Sequence, residues 1–335
     1  MKVAAPTCPE SVALPRTRLA DYIELTKPRI SIMVLVTVAA GAILGSAGAP
    51  EWWLLWQTLV GTALVAAGAS ALNQYLERDT DSAMERTEHR PLPSGRLQPR
   101  EVLVFGIALG ILGICYLAFF LPRPLAAIIA AITFLSYVFV YTPLKRKTSL
   151  NTLIGAVPGA LPPVIGWAAV RGSVDWSIVN LFAIMFIWQV PHFLAIAWIY
   201  RKDYGRAGLC MLPCVDREGT MTGRQMVAYC CALIPVSLSP LVLGQAGMIY
   251  LVGAVGLGVG FLAFTIAFLR KRSIERARGV LRRVSETPSR DGASTHAHRL
   301  LRSKACPPRS AAHRAECPSA VGLDRSEVRS PLRRA

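Results

Sequence analysis

The sequence predicts an all-α, polytopic bundle of membrane-spanning helices. Three observations carry that reading. Eight apolar runs follow one another along the chain, each near the length of about twenty residues that crosses a bilayer as a helix. Only 17% of the 335 residues are charged and 53% are hydrophobic, whereas a soluble chain is about a quarter charged. The basic residues also gather in every second connector, the alternation that the positive-inside rule produces.

The runs lie at 29–48, 52–74, 102–121, 124–142, 152–170, 176–199, 225–243 and 248–269. Residues 1–28 precede them. Pro6, Pro9, Pro15 and the charges there leave no apolar stretch of the signal-peptide kind, so this segment reads as a cytoplasmic lead-in. The connector after the second run carries Arg78, Arg86, Arg90, Arg96 and Arg100, and that after the fourth Lys145, Arg146 and Lys147. Arg201, Lys202, Arg206, Arg217 and Arg224 follow the sixth, and Arg270, Lys271 and Arg272 the eighth. The other connectors hold only Arg123 and Arg171. The N-terminus and the charged loops are therefore expected in the cytoplasm, with the bacterial inner membrane as the location. The bundle is placed at 29–272. Residues 273–335 are read as a basic tail, too poor in apolar surface to offset the entropy of ordering, and so disordered.

The formal net charge of +17 raises nucleic acid as a partner. The cations lie between apolar runs and in the tail, which fits anionic lipid contact instead, so no nucleic acid is expected. None of the eight cysteines pairs at CxxC spacing. Cys115, Cys230 and Cys231 fall in apolar runs as small hydrophobes. Cys210 and Cys214 read as free thiols, with a metal pair as the second reading.

The second run ends in Asn73-Gln74-Tyr75-Leu76-Glu77-Arg78-Asp79-Thr80-Asp81. On a continuing helix Asn73, Glu77 and Asp81 stack along one face, where like charges repel. A divalent cation would offset the repulsion, and Mg²⁺ binds through one or two carboxylates plus substrate phosphates. A solvated helix end balanced by Arg78 and Arg86 is the other reading. Asp79 points away and is expected to be merely solvated. Arg86 and Arg90, ahead of Pro91, Pro93 and Gly95, suit bidentate phosphate contact as well as topology. Asp203 follows the sixth run beside Arg201, Lys202 and Arg206 and reads as a metal ligand or a surface ion pair. The default role of Lys145, Arg146 and Lys147 is a positive-inside anchor; contact with a departing diphosphate is the other. Within the sixth run, Gln189-Val190-Pro191-His192 places polar groups in the membrane, where they tend to face the bundle interior. His192 is a candidate for substrate contact, including a haem iron, against a helix–helix hydrogen bond.

Further segments join these: Thr26-Lys27-Pro28-Arg29, Met84-Glu85-Arg86-Thr87, Arg90-Pro91-Leu92, Tyr141-Thr142-Pro143-Leu144-Lys145-Arg146, Gly159-Ala160-Leu161-Pro162-Pro163, Trp188-Gln189-Val190-Pro191-His192-Phe193, and Asp203-Tyr204 with Gly208 and Met211-Leu212-Pro213. In this order, over residues 20–280, the set resembles the UbiA superfamily of intramembrane prenyltransferases, with wording similar to its haem-modifying branch. The resemblance implies a UbiA-like bundle with a cavity near the cytoplasmic face. It implies farnesyl diphosphate as donor, haem B as acceptor and Mg²⁺ as cofactor, giving haem O and diphosphate. Asn73, Glu77, Asp81 and Asp203 are then the catalytic and metal-binding set. Arg86, Arg90, Lys145, Lys147, Asn151, His192, Lys202 and Tyr204 are the substrate-binding set, the haem role of His192 resting on its chemistry. Haem A synthase and terminal-oxidase assembly factors are the protein partners implied. Glu77 stands where many relatives carry Asp, the second acidic motif is reduced to Asp203, and the ninth span of the family has no counterpart here. An aromatic quinone precursor as acceptor, a transporter and an oxidase-assembly scaffold are the competing functions.

Overall fold

The computed structural model describes residues 17–282, apart from Ala47 and the side chain of Arg282. Among the described residues eight helical stretches are long and apolar enough to cross a membrane: Pro28–Gly45, Trp52–Leu76, Pro99–Phe120, Leu125–Leu144, Asn151–Arg171, Trp176–Ile199, Thr220–Val242 and Met248–Arg270. They fall within a few residues of the apolar runs. A bilayer offers no partners to backbone N–H and C=O groups, so an apolar run of this length must form a helix.

In chain order the helices are α1 (Arg18–Leu25), α2 (Pro28–Gly45), α3 (Trp52–Leu76), α4 (Arg78–Ser82), α5 (Pro99–Phe120), α6 (Leu125–Leu135), α7 (Thr142–Leu144), α8 (Asn151–Ala160) and α9 (Pro162–Arg171). They continue as α10 (Trp176–Ile199), α11 (Arg201–Arg206), α12 (Leu212–Val215), α13 (Thr220–Val242), α14 (Met248–Arg270) and α15 (Ile274–Arg282). A π-helical stretch, Ser136–Tyr141, joins α6 to α7. α8 and α9 part at Leu161, where Pro162 and Pro163 cannot donate to the ladder.

Without a hydrophobic force between helices in lipid, association rests on close backbone packing at small residues. α3 and α5 meet in this way. A Cβ on Gly68 would lie 2.6 Å from Gly110 N, and one on Gly113 would lie 2.7 Å from Val65 N. α2 and α9 pack likewise, with Gly41 against the Pro163 carbonyl and Gly166 against that of Val38. Trp52, Trp53 and Trp56, exposed at the start of α3, and Trp176 at the start of α10 lie at the ends away from the charged loops. That is where an interfacial aromatic belt belongs.

The expected tail from residue 273 is corrected at its beginning. α15 is amphipathic: Ala277 and Val280 are buried with the α10, α13 and α14 core, while Arg276 and Arg278 are exposed. The three-residue step between Ala277 and Val280 supplies one apolar face. The remainder of the tail, 283–335, lies outside the described residues, as do residues 1–16 of the lead-in with Cys8, and Cys306 and Cys317.

Candidate active site

α3 ends at Leu76, and Glu77 leaves helical geometry with φ −96° and ψ 6° before α4 begins. The expected unbroken helix is thus interrupted at Glu77. The four-residue step survives, because Glu77 N donates to Asn73 O at 2.9 Å and Asp81 N to Glu77 O at 2.7 Å. Asn73, Glu77 and Asp81 line one cavity of about 270 Å³, together with Lys27, Arg86, Arg90, Lys145 and Tyr204. Asp79 is exposed beside Arg78, as anticipated.

Each member of the trio is met by a cation. Lys27 Nζ donates to Asn73 Oδ1 at 3.2 Å, and Asn73 Nδ2 donates to Thr142 Oγ1 at 3.2 Å. Lys145 Nζ stands 2.6 Å from Glu77 Oε1, and Arg90 Nη1 donates to Asp81 Oδ2 at 2.6 Å. The repulsion expected between the acids is therefore offset within the protein. Asp81 Oδ1 is buried and has no hydrogen-bond partner among the described residues, whereas Glu77 Oε1 has its ion pair with Lys145.

Lys27 caps α2 in the left-handed region, φ 48° and ψ 63°, a conformation that costs an L-residue with a Cβ about 1–2 kcal/mol. This turn brings its ammonium back over Asn73. Burial, helped by the charge of Arg90, pulls the Lys27 ammonium down to about 7, against Glu77 and Asp81. Burial also acts to lower Lys145, but Tyr141, Glu77 and Tyr137 more than offset it and hold that ammonium above its usual value. Burial raises the Asp81 carboxyl although Arg90 opposes it. Burial likewise raises the Tyr204 phenol over the opposing charge of Arg86.

Behind this polar cavity lies an apolar chamber of about 360 Å³, walled by Val34, Val65, Ala69, Phe134 and Ile165 among others. Ile30, Tyr137, Tyr141 and Phe193 belong to both walls. The π-helical stretch carries both tyrosines to this junction, a common use of such a bulge, and sets the Tyr141 ring 4.5 Å beneath Lys145 Nζ. A charged mouth opening on an apolar chamber suits an amphiphile with an anionic head.

Other anticipated residues are placed differently. Arg86 reaches the cavity stacked 4.7 Å over the Tyr200 ring and donates to Tyr204 Oη at 3.4 Å. Asp203, on α11, accepts from Arg206 Nη2 at 2.6 Å and is not on the cavity wall. Lys147 and Lys202 are exposed and off the wall. Asn151 is buried and donates to the carbonyls of Thr148 at 2.8 Å and Cys210 at 3.0 Å, tying two loops together. His192 stacks on Trp188 at 5.2 Å, with its Nδ1 buried and without a hydrogen-bond partner among the described residues. Cys210 and Cys214 are free thiols. Lys27, Tyr141 and Thr142 lie in segments that carry the resemblance but have no site role in the sequence reading; Tyr137 lies in none, and a tyrosine within a span has no distinguishing spacing.

Among the described residues no three His, Cys, Asp or Glu side chains form a ready metal cage. The trio nevertheless fits Mg²⁺: it offers only oxygen donors, one of them unpartnered, and this ion commonly takes one or two carboxylates plus substrate phosphates.

The profile of the UbiA prenyltransferase family matches residues 34–285. The chain is 48% identical over 272 residues to the protoheme IX farnesyltransferase of Solibacter usitatus, covering 78% of this chain and 93% of that one. It is 43% identical over 256 residues to the protoheme IX farnesyltransferase of Koribacter versatilis, covering 74% and 82%. Among solved structures, one of digeranylgeranylglyceryl phosphate synthase superimposes with a TM-score of 0.67 at 20% identity, covering 78% of this chain and 91% of that one. A UbiA homolog from Archaeoglobus fulgidus bound to DMAPP and Mg²⁺ gives 0.58 at 18% identity, covering 75% and 86%. With eight helices among the described residues long and apolar enough to span, and a polar mouth over an apolar chamber, this integral membrane chain belongs to the UbiA prenyltransferase family.

Proposed function

We propose that the chain transfers the farnesyl group of farnesyl diphosphate to a vinyl group of haem B, with addition of water, giving haem O and diphosphate. One observation carries the chemistry: the Asn73–Glu77–Asp81 trio and its cations stand at the mouth of the apolar chamber. The relatives named above support farnesyl as the group and haem as the acceptor. They give no support to an aromatic acceptor, a transporter or a scaffold.

In this reading Asn73, Glu77 and Asp81 hold Mg²⁺, which when bound neutralises charge on the diphosphate. Lys27, Arg86, Arg90 and Lys145 bind the phosphate oxygens and stabilise the charge that builds as the C1–O bond opens. The Tyr137 and Tyr141 rings line the junction where C1 would lie, and the apolar walls keep bulk water from the allylic cation. His192, with its unpartnered Nδ1, is the side chain we assign to haem contact. Asp203 serves from outside the cavity wall, by holding Arg206. The charged loops face the cytoplasm of a bacterial inner membrane, and haem A synthase or oxidase-assembly factors take up the product.

The test is reconstitution in lipid with haem B, farnesyl diphosphate and Mg²⁺, followed by mass analysis. Haem O and diphosphate are expected in equal amounts. Farnesyl transfer to a phenol but not to haem would sink the acceptor assignment.

A further inference from the structure

We propose that Gln189 seats the water whose oxygen becomes the hydroxyl of the product, which makes it a positioning residue for hydration. The inference rests on the reading above and deepens it. Gln189 lies in the middle of α10, is only 4% exposed, and forms part of the wall of the apolar chamber. A polar side chain at that depth is costly unless it serves a purpose. Its Nε2 donates to Met185 O, one turn earlier, at 2.9 Å, which fixes the orientation of the amide. Its Oε1 accepts no hydrogen bond from the described residues, and it faces position 159. A Cβ there would collide with Oε1, so Gly159 leaves the room the carbonyl occupies. By contrast, Ser31 and Thr133 on the same wall give their hydroxyl protons to Thr26 O and Ile129 O.

The position suits the chemistry. Phe193, one helical turn from Gln189, belongs to both the polar cavity and the chamber, so the amide stands one turn from the junction where C1 is released. Water that donates one hydrogen to an amide carbonyl keeps a lone pair for an electrophile. The amide itself is too weak a nucleophile to trap an allylic cation, as a carboxylate there would.

The electrons balance without an oxidant. The C1–O pair leaves with the diphosphate, and the vinyl π pair forms the bond from C1 to the terminal vinyl carbon. The cation left beside the porphyrin ring takes the lone pair of the water, and the water's proton passes to the released diphosphate. Without a seated water the same cation loses a proton from the new chain carbon instead. The product is then an alkene, lighter by one water.

The test is the partition between hydrated and unhydrated farnesyl haem, read by mass in ordinary and isotopically labelled water. It is scored per mole of farnesylated product, so the total rate does not enter. Gln189→Met removes the amide at nearly constant volume. Gly159→Ala keeps the amide but drives it from its seat. Both should raise the alkene share about tenfold or more over wild type, while Thr133→Val, on the same wall with its hydroxyl already bonded to Ile129 O, should leave it unchanged. An unchanged partition in a farnesylating Gln189→Met or Gly159→Ala variant overturns the proposal. So does loss of all transfer in both while wild type is active, because the pair would then serve transfer or folding. A wild type that farnesylates no haem defeats the functional reading instead.

Discussion

Lys145 Nζ lies 2.6 Å from Glu77 Oε1, with the two side chains 13% and 15% exposed. The pair bridges the fourth and second spans at the mouth of the apolar chamber. Breaking a buried pair from one side strands a charge and costs about 3–5 kcal/mol. Lys145→Met should therefore lower stability in detergent by about that amount. Adding Glu77→Gln should restore much of the stability but none of the turnover. Equal melting of the single variant and wild type would show that the pair is solvated.

Lys27 holds a strained turn and touches Asn73, two roles that substitution separates. Lys27→Asn tolerates the left-handed backbone but removes the ammonium. It should fold, and KM for the allylic diphosphate should rise about tenfold, the effect of losing roughly 1.4 kcal/mol of binding. Steady-state kinetics decide this, and an unchanged KM would take Lys27 out of the phosphate site.

Asn151 is expected among the substrate-binding residues, and its amide donates to the loop carbonyls of Thr148 and Cys210. Asn151→Ala should cost about 1–3 kcal/mol, the usual penalty for orphaned buried groups, with KM unaltered in the folded fraction. Lys147→Ala and Lys202→Ala, both exposed, should change neither quantity beyond about 0.5 kcal/mol. A KM effect in any of the three would return that residue to the substrate-binding set.

The spans were legible because the bilayer enforces them. A backbone in lipid must satisfy itself, so composition over about twenty residues determines structure. The trio was legible because its four-residue spacing survives the break at Glu77. The partners were not. Lys27 reaches Asn73 from 46 positions away; its Thr26-Lys27-Pro28-Arg29 segment marks the resemblance but not that contact. Tyr137 and Tyr141 reach the site through a π-helical stretch that their own sequence does not mark. α15 was read as tail because Ala277 and Val280 gain their environment from α10 and α14. Asp203 is all that remains of the second acidic motif, and α11 sets it against Arg206.

Close helix packing gives a contrast between glycines. Gly68→Val would drive a side chain into the Gly110 backbone and should abolish folding of the bundle. Gly253→Ala and Gly256→Ala on α14 meet nothing within 4 Å and should be neutral or stabilising, since Ala in a helix is better than Gly by up to about 1 kcal/mol. Size-exclusion profiles and thermal melts in detergent read both. A well-folded Gly68→Val protein would refute the packing described for α3 and α5.

The central claim is that Asp81 and its neighbours grip a divalent ion together with the diphosphate head. The direct measurement is calorimetric binding of farnesyl diphosphate to the reconstituted protein, with and without Mg²⁺, in wild type and Asp81→Asn. Binding to wild type should tighten about a hundredfold when Mg²⁺ is added, which corresponds to roughly 2.7 kcal/mol, and Asp81→Asn should lose that gain. Equal, metal-independent affinity in both proteins would contradict the account.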